Sequence, residues 1–170
     1  IMKKILIVSA TSNSNYKLAK EIKDLIIDEN IKAKIISLED YRLPLFTAKD
    51  STLSEKSHIE TVKELTGHFI ESNGVIICGP EYNGSIAPII TNTITWISTT
   101  TDYWRDAFSH KIGLIATSSG GGGSKFLLSM KIQLEHLGMV ILPRSISINN
   151  SAPLKIDSTQ KILKQFINLI

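Results

Sequence analysis

The sequence predicts an α/β fold in which a parallel β-sheet is covered by helices on both faces. Short, continuous apolar runs alternate with longer segments whose apolar residues recur at helical spacing. The chain has 170 residues, of which 42% are hydrophobic and 21% charged. This composition excludes a disordered or collagen-like protein. Because no internal repeat or linker interrupts the pattern, we expect residues 1–170 to form one domain.

The first two strands are predicted from apolar runs at Lys3–Ser9 and Ala33–Leu38. The segment between them is predicted to be a helix that ends near Asn30. Its apolar stripe consists of Leu18, Ile22, Leu25 and Ile26.

The second helix follows a polar connection from residue 39 to residue 54. Thr52 and Glu55 have the spacing of a capping box at its start, and Asn73-Gly74 is expected to end it. The third strand is then predicted at Val75–Cys78. The apolar stripe of this helix is Ile59, Val62, Leu65 and Phe69.

The remaining elements complete five strand–helix units. A helix from Pro88 to Ser98 precedes the fourth strand, Ile112–Thr117, and a helix that Gly138 stops precedes the fifth strand within Val140–Ile148. The last helix has the stripe Ile162, Leu163, Phe166, Ile167 and Ile170. Five such units fit a flavodoxin-like three-layer sandwich, with a five-stranded parallel sheet of order 2-1-3-4-5.

Composition also limits the partners that we expect. A net charge of +3 without a basic stripe argues against nucleic acid, and no apolar run approaches the length of a membrane span. The single cysteine, Cys78, cannot form an internal disulfide, so we expect a cytoplasmic protein and a buried thiol. The four histidines lack metal-ligand spacing, and no metal is expected.

The loop after the first strand, Ser9–Asn15, is predicted to bind a phosphate. Its residues are nearly all small hydroxyl or amide types, and it opens into a helix whose N-terminus attracts anions. An ordinary N-cap loop is the alternative interpretation. No glycine precedes Gly67, so a dinucleotide-binding glycine fingerprint is absent, and no Arg or Lys precedes Lys17 in the loop.

The loop after the fourth strand contains four consecutive glycines, Gly120–Gly123. The following Ser124-Lys125-Phe126 does not complete a P-loop. Glycines there expose main-chain N–H groups and let a planar ligand approach the backbone. A flexible surface connection is the alternative interpretation.

The most specific motif lies after the third strand, in the segment Pro80–Ile86. It reads Pro-Glu-Tyr-Asn-Gly-Ser-Ile and resembles the signature of the NADPH-dependent FMN reductase family, which includes flavin, quinone, azo-dye and chromate reductases. Leu43–Phe46 and Ser118–Gly123 resemble two further segments of that family. The resemblance runs from the first strand to about Pro143.

The resemblance implies an FMN site formed by three loops. The phosphate would be received by Ser9, Thr11, Ser14 and Asn15. The ring would be wrapped by Pro80, Glu81, Tyr82 and Asn83, on a turn shaped by Gly84 and Ser85. Its other edge would contact Ser118, Gly120 and Gly121.

The activity that the resemblance implies is transfer of hydride from NADPH, or NADH, to bound FMN and on to a quinone, flavin or similar small acceptor. The cofactor supplies this chemistry, so no catalytic acid or base is expected from the chain. A homodimer or homotetramer is also implied. Two alternatives stay open: a flavodoxin-like electron carrier, and a flavin-free regulatory protein of the same fold.

Overall fold

The central feature of the computed structural model, which describes residues 2–49 and 56–170, is a parallel β-sheet. Its strands are β1 Lys3–Ser9, β2 Ile31–Ser37, β3 Gly74–Cys78, β6 Ile112–Ser118, β7 Val140–Ile141 and β8 Ile146–Ile148. The strand order is β2-β1-β3-β6-β7, and β8 also pairs with β6. The predicted order 2-1-3-4-5 is therefore confirmed, with β7 and β8 together as the fifth strand.

In the described part of the chain, five α-helices connect or follow the strands. They are α1 Ser14–Asp24, α2 Lys56–Glu71, α3 Pro88–Thr100, α4 Ser124–His136 and α5 Ile156–Leu169. A short antiparallel hairpin, β4 Glu81–Tyr82 and β5 Ser85–Ile86, lies between β3 and α3. The capping box predicted at Thr52 and Glu55 lies outside the described residues.

The central strands β1, β3 and β6 are buried on both faces over most of their length, which explains why they are continuous apolar runs. Along β1, Ile5 and Ile7 pack into one hydrophobic cluster, with Leu18 of α1 and Phe166 of α5. The alternate β1 residues Leu6 and Val8 pack into the second cluster, with Leu65, Ile94 and Phe126 of α2, α3 and α4. Side chains that alternate along a strand point to opposite faces, so a strand between two helix layers needs apolar residues at every position.

One predicted helix end is wrong, and the fifth strand lies within its predicted range but is divided in two. Helix α1 ends at Asp24 rather than near Asn30, and the chain then turns at residues 28–31, where the Ile31 N–H donates to the Asp28 carbonyl oxygen. The fifth strand is divided because Pro143 follows Leu142, and proline has no N–H to donate to a neighbouring strand.

The carboxyl ends of the strands lie side by side at one edge of the sheet. In the strand register Ser9 is the partner of both Ser37 and Cys78, and Cys78 is the partner of Ala116. The loops that follow β1, β3 and β6 therefore leave the sheet together, as expected for a ligand site in this class of fold. No helix within residues 2–49 and 56–170 is long and apolar enough to cross a membrane.

Candidate active site

Three loops meet at this edge: the first loop, Ser9–Asn15, the second loop, Gly79–Ser85, and the third loop, Ser118–Gly123. In the first loop Ser9, Thr11 and Asn15 are buried, whereas the residues at its tip are exposed. The Ser9 hydroxyl donates to the main-chain oxygen of Thr11 at 2.7 Å. This bond folds the loop tightly before α1 begins at Ser14.

Asn15 connects the first loop to the third. Its Nδ2 donates to the Ser118 carbonyl oxygen at 3.0 Å, and its Oδ1 accepts from the Ser118 N–H at 2.9 Å. The next residue, Ser119, donates its N–H to Ile148 of β8. Main-chain groups of successive strand residues point in opposite directions, so those of Ser118 point away from β8, toward the position next to β6 where β3 has already ended. An amide side chain offers the same donor and acceptor as a peptide group. Asn15 therefore continues the sheet's hydrogen bonding beyond β3.

The second loop is a two-residue β-hairpin. Asn83 and Gly84 form the turn with positive φ angles of 50° and 71°, the conformation that Asn-Gly favours in a type I′ turn. Tyr82 is 50% exposed beside this turn, while Pro80 is buried. The hairpin was not predicted from the sequence, which indicated only a turn-rich loop, although Asn-Gly between two short runs is the usual signal for a hairpin.

Glu81 joins the second loop to the third loop and to α4. Its N–H donates to Ser119 Oγ at 2.8 Å. Its carboxylate Oε2 accepts from the N–H groups of Lys125 and Phe126 at 3.0 and 3.2 Å. Gly123 is the N-cap residue of α4 and has no side chain for that role, so Glu81 supplies the cap from the neighbouring loop.

The glycines of the third loop leave open space above the backbone. A Cβ added at Gly120, Gly121 or Gly122 would have no atom of the described chain within 4 Å. Gly123 differs, because it has a φ of 63° and an added Cβ would lie 2.7 Å from Thr117 Cγ2. The third loop thus exposes main chain without side chains at Gly120–Gly122, whereas its last residue, Gly123, is closely packed.

The sequence pattern of one protein family, NADPH-dependent FMN reductase, matches residues 2–153. The chain belongs to this family. It is therefore an FMN-dependent oxidoreductase that uses NAD(P)H, in agreement with the prediction from the Pro80–Ile86 motif.

Individual relatives are similar to this chain over most of its length. An uncharacterized protein of Mycoplasma pneumoniae is 30% identical over 131 residues, which cover 74% of each chain. An NADPH azoreductase of a Bacillus species is 26% identical over 125 residues, covering 72% of this chain and 65% of the relative.

Solved structures confirm the flavodoxin-like fold. The flavoenzyme NAD(P)H:(acceptor) oxidoreductase FerB of Paracoccus denitrificans superimposes with a TM-score of 0.77 at 21% identity, covering 98% of this chain and 96% of that one. A flavodoxin from the Archaea superimposes with a TM-score of 0.67 at 13% identity, covering 98% of both chains.

The residues of this chain fit the cofactor that its family implies. The backbone at Gly120–Gly122 borders open space that side chains would fill. The hydrogen bond from Glu81 to Ser119 holds the Tyr82 hairpin next to this backbone. The Ser12 N–H at the exposed tip of the first loop donates to a carboxylate oxygen of Glu39, so this loop presents a main-chain donor to an oxygen anion. Which individual residues contact FMN stays a prediction.

Two predicted ligands already have partners within the chain. Both polar atoms of the Asn15 side chain are bonded to Ser118, and the Ser9 hydroxyl is bonded to Thr11. Thr11 and Ser14 stand in the same loop, and Ser14 is exposed. The resemblance assigns all four residues to the phosphate, and the structure gives Asn15 an additional part in holding two loops together.

Two features of this edge could not be predicted from the sequence pattern. One is the Glu39–Ser12 contact, which joins residues 27 positions apart and has no local sequence signal. The other is a cavity of about 650 Å³ between α1 and residues 148–156, which reaches the site at Ser14 and Ser118.

Within the described residues, the site has neither a metal-binding cluster nor a nucleophilic thiol. No group of three or more His, Cys, Asp or Glu side chains in this part of the chain could hold a metal ion. Cys78 is fully buried in β3, and burial raises the pKa of its thiol, so it stays protonated. The prediction that Cys78 is a packing residue is confirmed.

Proposed function

We propose that this protein transfers hydride from NADPH to bound FMN and then to a small acceptor such as a quinone or free flavin. The observation that carries the proposal is the pairing of a half-exposed Tyr82 hairpin with a side-chain-free loop, Gly120–Gly122. Such a pair can enclose a planar ring along its edges and leave a face accessible. Donor and acceptor would use that face in turn.

The roles of the chain in this reaction are binding and orientation. The hydroxyl and N–H groups of the first loop and the N-terminus of α1 would hold the phosphate. Main-chain N–H groups of Tyr82, Asn83, Gly120 and Gly121 would lie near the ring and stabilise negative charge there. When bound, FMN itself supplies the chemistry of accepting and donating hydride. The reaction needs no acid or base from the chain.

The test is reduction of the bound cofactor without oxygen. The protein is mixed with less FMN than protein, and NADPH is added while the visible flavin absorption is followed, with FMN and NADPH without protein as the control. We expect rapid bleaching, followed by recovery of the absorption when a quinone is added. NADH in a parallel experiment gives the donor preference. A band that persists with both donors would contradict the proposal and favour an electron carrier.

We also propose that two copies associate through the outer face of α4. Leu128 and Ile132 are 62% and 61% exposed on one stripe of this helix, and His136, one turn further, contacts the Trp104 ring at 5.4 Å between centroids. Arg105 lies over the same indole, 4.2 Å from the ring centroid. A contiguous exposed apolar stripe with Trp and Arg at one end is typical of a protein interface.

The oligomer is tested by light scattering during size-exclusion chromatography. We expect the wild-type mass to be at least twice that of one chain, and the Ile132→Glu variant to be monomeric because it places a charge in the contact. Ile27→Glu is the matched control, since Ile27 is 83% exposed and lies outside α4. A monomeric wild type, or dissociation by both substitutions alike, would contradict this proposal.

A further inference from the structure

Glu39 is an exposed acidic residue that contacts the first loop from the neighbouring strand. It stands in the short 3-10 turn Leu38–Asp40 after β2, whose last residue is level with the last residue of β1. Its Oε2 accepts a hydrogen bond from the Ser12 N–H at 2.7 Å. The Ser12 hydroxyl also lies 3.1 Å from the hydroxyl of Ser37. A carboxylate of the chain thus occupies a main-chain donor at the exposed tip of the loop.

The first loop itself has no cationic side chain to hold a phosphate. From Ile5 to Tyr16 the chain contains no Arg or Lys, so the loop has no cation of its own to offset Glu39. A flavin phosphate monoester carries a charge of about −1.5 to −2 at pH 7. The phosphate would need main-chain N–H donors such as the Ser12 N–H, which the Glu39 carboxylate already uses. The negative charge of that carboxylate would also repel the phosphate at close range.

We propose that Glu39 is a specificity residue that weakens binding of the flavin phosphate, so that the protein discriminates little between FMN and riboflavin and exchanges FMN readily. The proposal rests on the proposed function, because it assumes that the first loop receives the phosphate. Glu39 acts through the Ser12 N–H and through its charge. It would set how much the phosphate contributes to binding, and not how the ring is held.

The Glu39→Gln substitution separates charge from shape. Glutamine keeps the length of the side chain and an oxygen that can accept from the Ser12 N–H, but it removes the negative charge. Dissociation constants for FMN and riboflavin are measured by quenching of flavin fluorescence at low salt. We expect Glu39→Gln to bind FMN about five- to tenfold more tightly, the effect of removing one like charge a few ångströms away in a largely aqueous setting. Riboflavin affinity should stay within about twofold, since riboflavin has no phosphate.

Salt and two further variants separate the local charge of Glu39 from long-range charge and from loop shape. At about 1 M salt the gain for FMN should shrink, because the screening length falls to about 3 Å. Asp40→Asn removes the same charge from the adjacent residue, which among the described residues makes no hydrogen bond to the first loop, and it should change the FMN affinity clearly less than Glu39→Gln, by about two- to threefold at low salt. Glu39→Ala removes both the charge and the acceptor, so comparison with Glu39→Gln measures any contribution of the hydrogen bond to loop shape.

Several results would overturn the proposal. Weaker FMN binding in Glu39→Gln would show that the carboxylate supports the loop, and equal shifts for both flavins would show an effect unrelated to phosphate. An Asp40→Asn effect as large as that of Glu39→Gln would show a general influence of charge. If the wild type and every variant bind neither flavin, the proposed flavin site itself is wrong. That outcome is distinct from normal binding with an unchanged preference, which would reject only the role of Glu39.

Discussion

Replacing Asn15 by alanine is expected to destabilise the protein by about 2–3 kcal/mol and to raise the dissociation constant for FMN at least about tenfold. The substitution removes both hydrogen bonds to Ser118 and leaves the N–H and carbonyl of that residue without these partners. Asn15 is 1% exposed, so the lost bonds are not easily replaced by water. Affinity should fall because the first and third loops would no longer be held together before the flavin binds.

The stability effect is measured by thermal unfolding, where this loss corresponds to a Tm decrease of about 4–12 °C. Asn15→Asp tests the hydrogen-bond assignment with a side chain of nearly equal shape. One oxygen can still accept from the Ser118 N–H, but the other would face the Ser118 carbonyl oxygen, so we expect a loss at least as large as for alanine.

The control for this prediction is Asn13→Ala in the same loop. Asn13 is exposed, and in the described part of the chain its side chain makes no capping hydrogen bond to α1. Its replacement should change the stability by less than about 0.5 kcal/mol. If Asn15→Asp were as stable as the wild type, the pairing with Ser118 would not have the importance that we assign to it.

The sequence was sufficient to predict the central strands because β1, β3 and β6 are buried on both faces over most of their length, and their order followed from the class of fold. At β1 and β3 every residue that faces a helix layer must be apolar, so a continuous apolar run marks the strand directly. The division of the fifth strand was not predicted, because residues 140–148 have the apolar pattern of a single strand. Pro143 is what interrupts it. The end of α1 was predicted too late because Leu25 and Ile26 continue its apolar stripe past the last helical turn.

The candidate site was predictable only in part, for a different reason. Its three loops were found because each has an unusual composition or a family motif near the end of a strand. The contacts that connect them could not be found this way, because Asn15 and Ser118 are 103 residues apart and Glu81 and Lys125 are 44 apart. Polar contacts over such separations depend on which strands are neighbours, and no local pattern records them.

Replacing Glu81 by alanine is expected to destabilise the protein by about 1–2 kcal/mol, because α4 would lose the acceptor for two of its first N–H groups. The negative charge also interacts favourably with the positive end of the helix dipole. Glu81→Gln keeps an oxygen acceptor but removes the charge, so we expect roughly half of the alanine effect. Denaturant unfolding of the three proteins measures these differences, and the slope of the unfolding transition should not change.

The matched control is Glu135→Gln, a glutamate at the other end of α4. Glu135 has an ion pair of 3.7 Å with Lys131, and it lies at the negative end of the helix dipole, where an acidic side chain is unfavourable. Its substitution should therefore be neutral or slightly stabilising, opposite in sign to Glu81→Gln. Loss of stability from both substitutions alike would mean that glutamate charge in general matters to α4. Loss of stability from the Glu81 substitution alone would show that Glu81 caps the helix that follows the third loop. Glu81 would then be the residue that joins the second loop to the third.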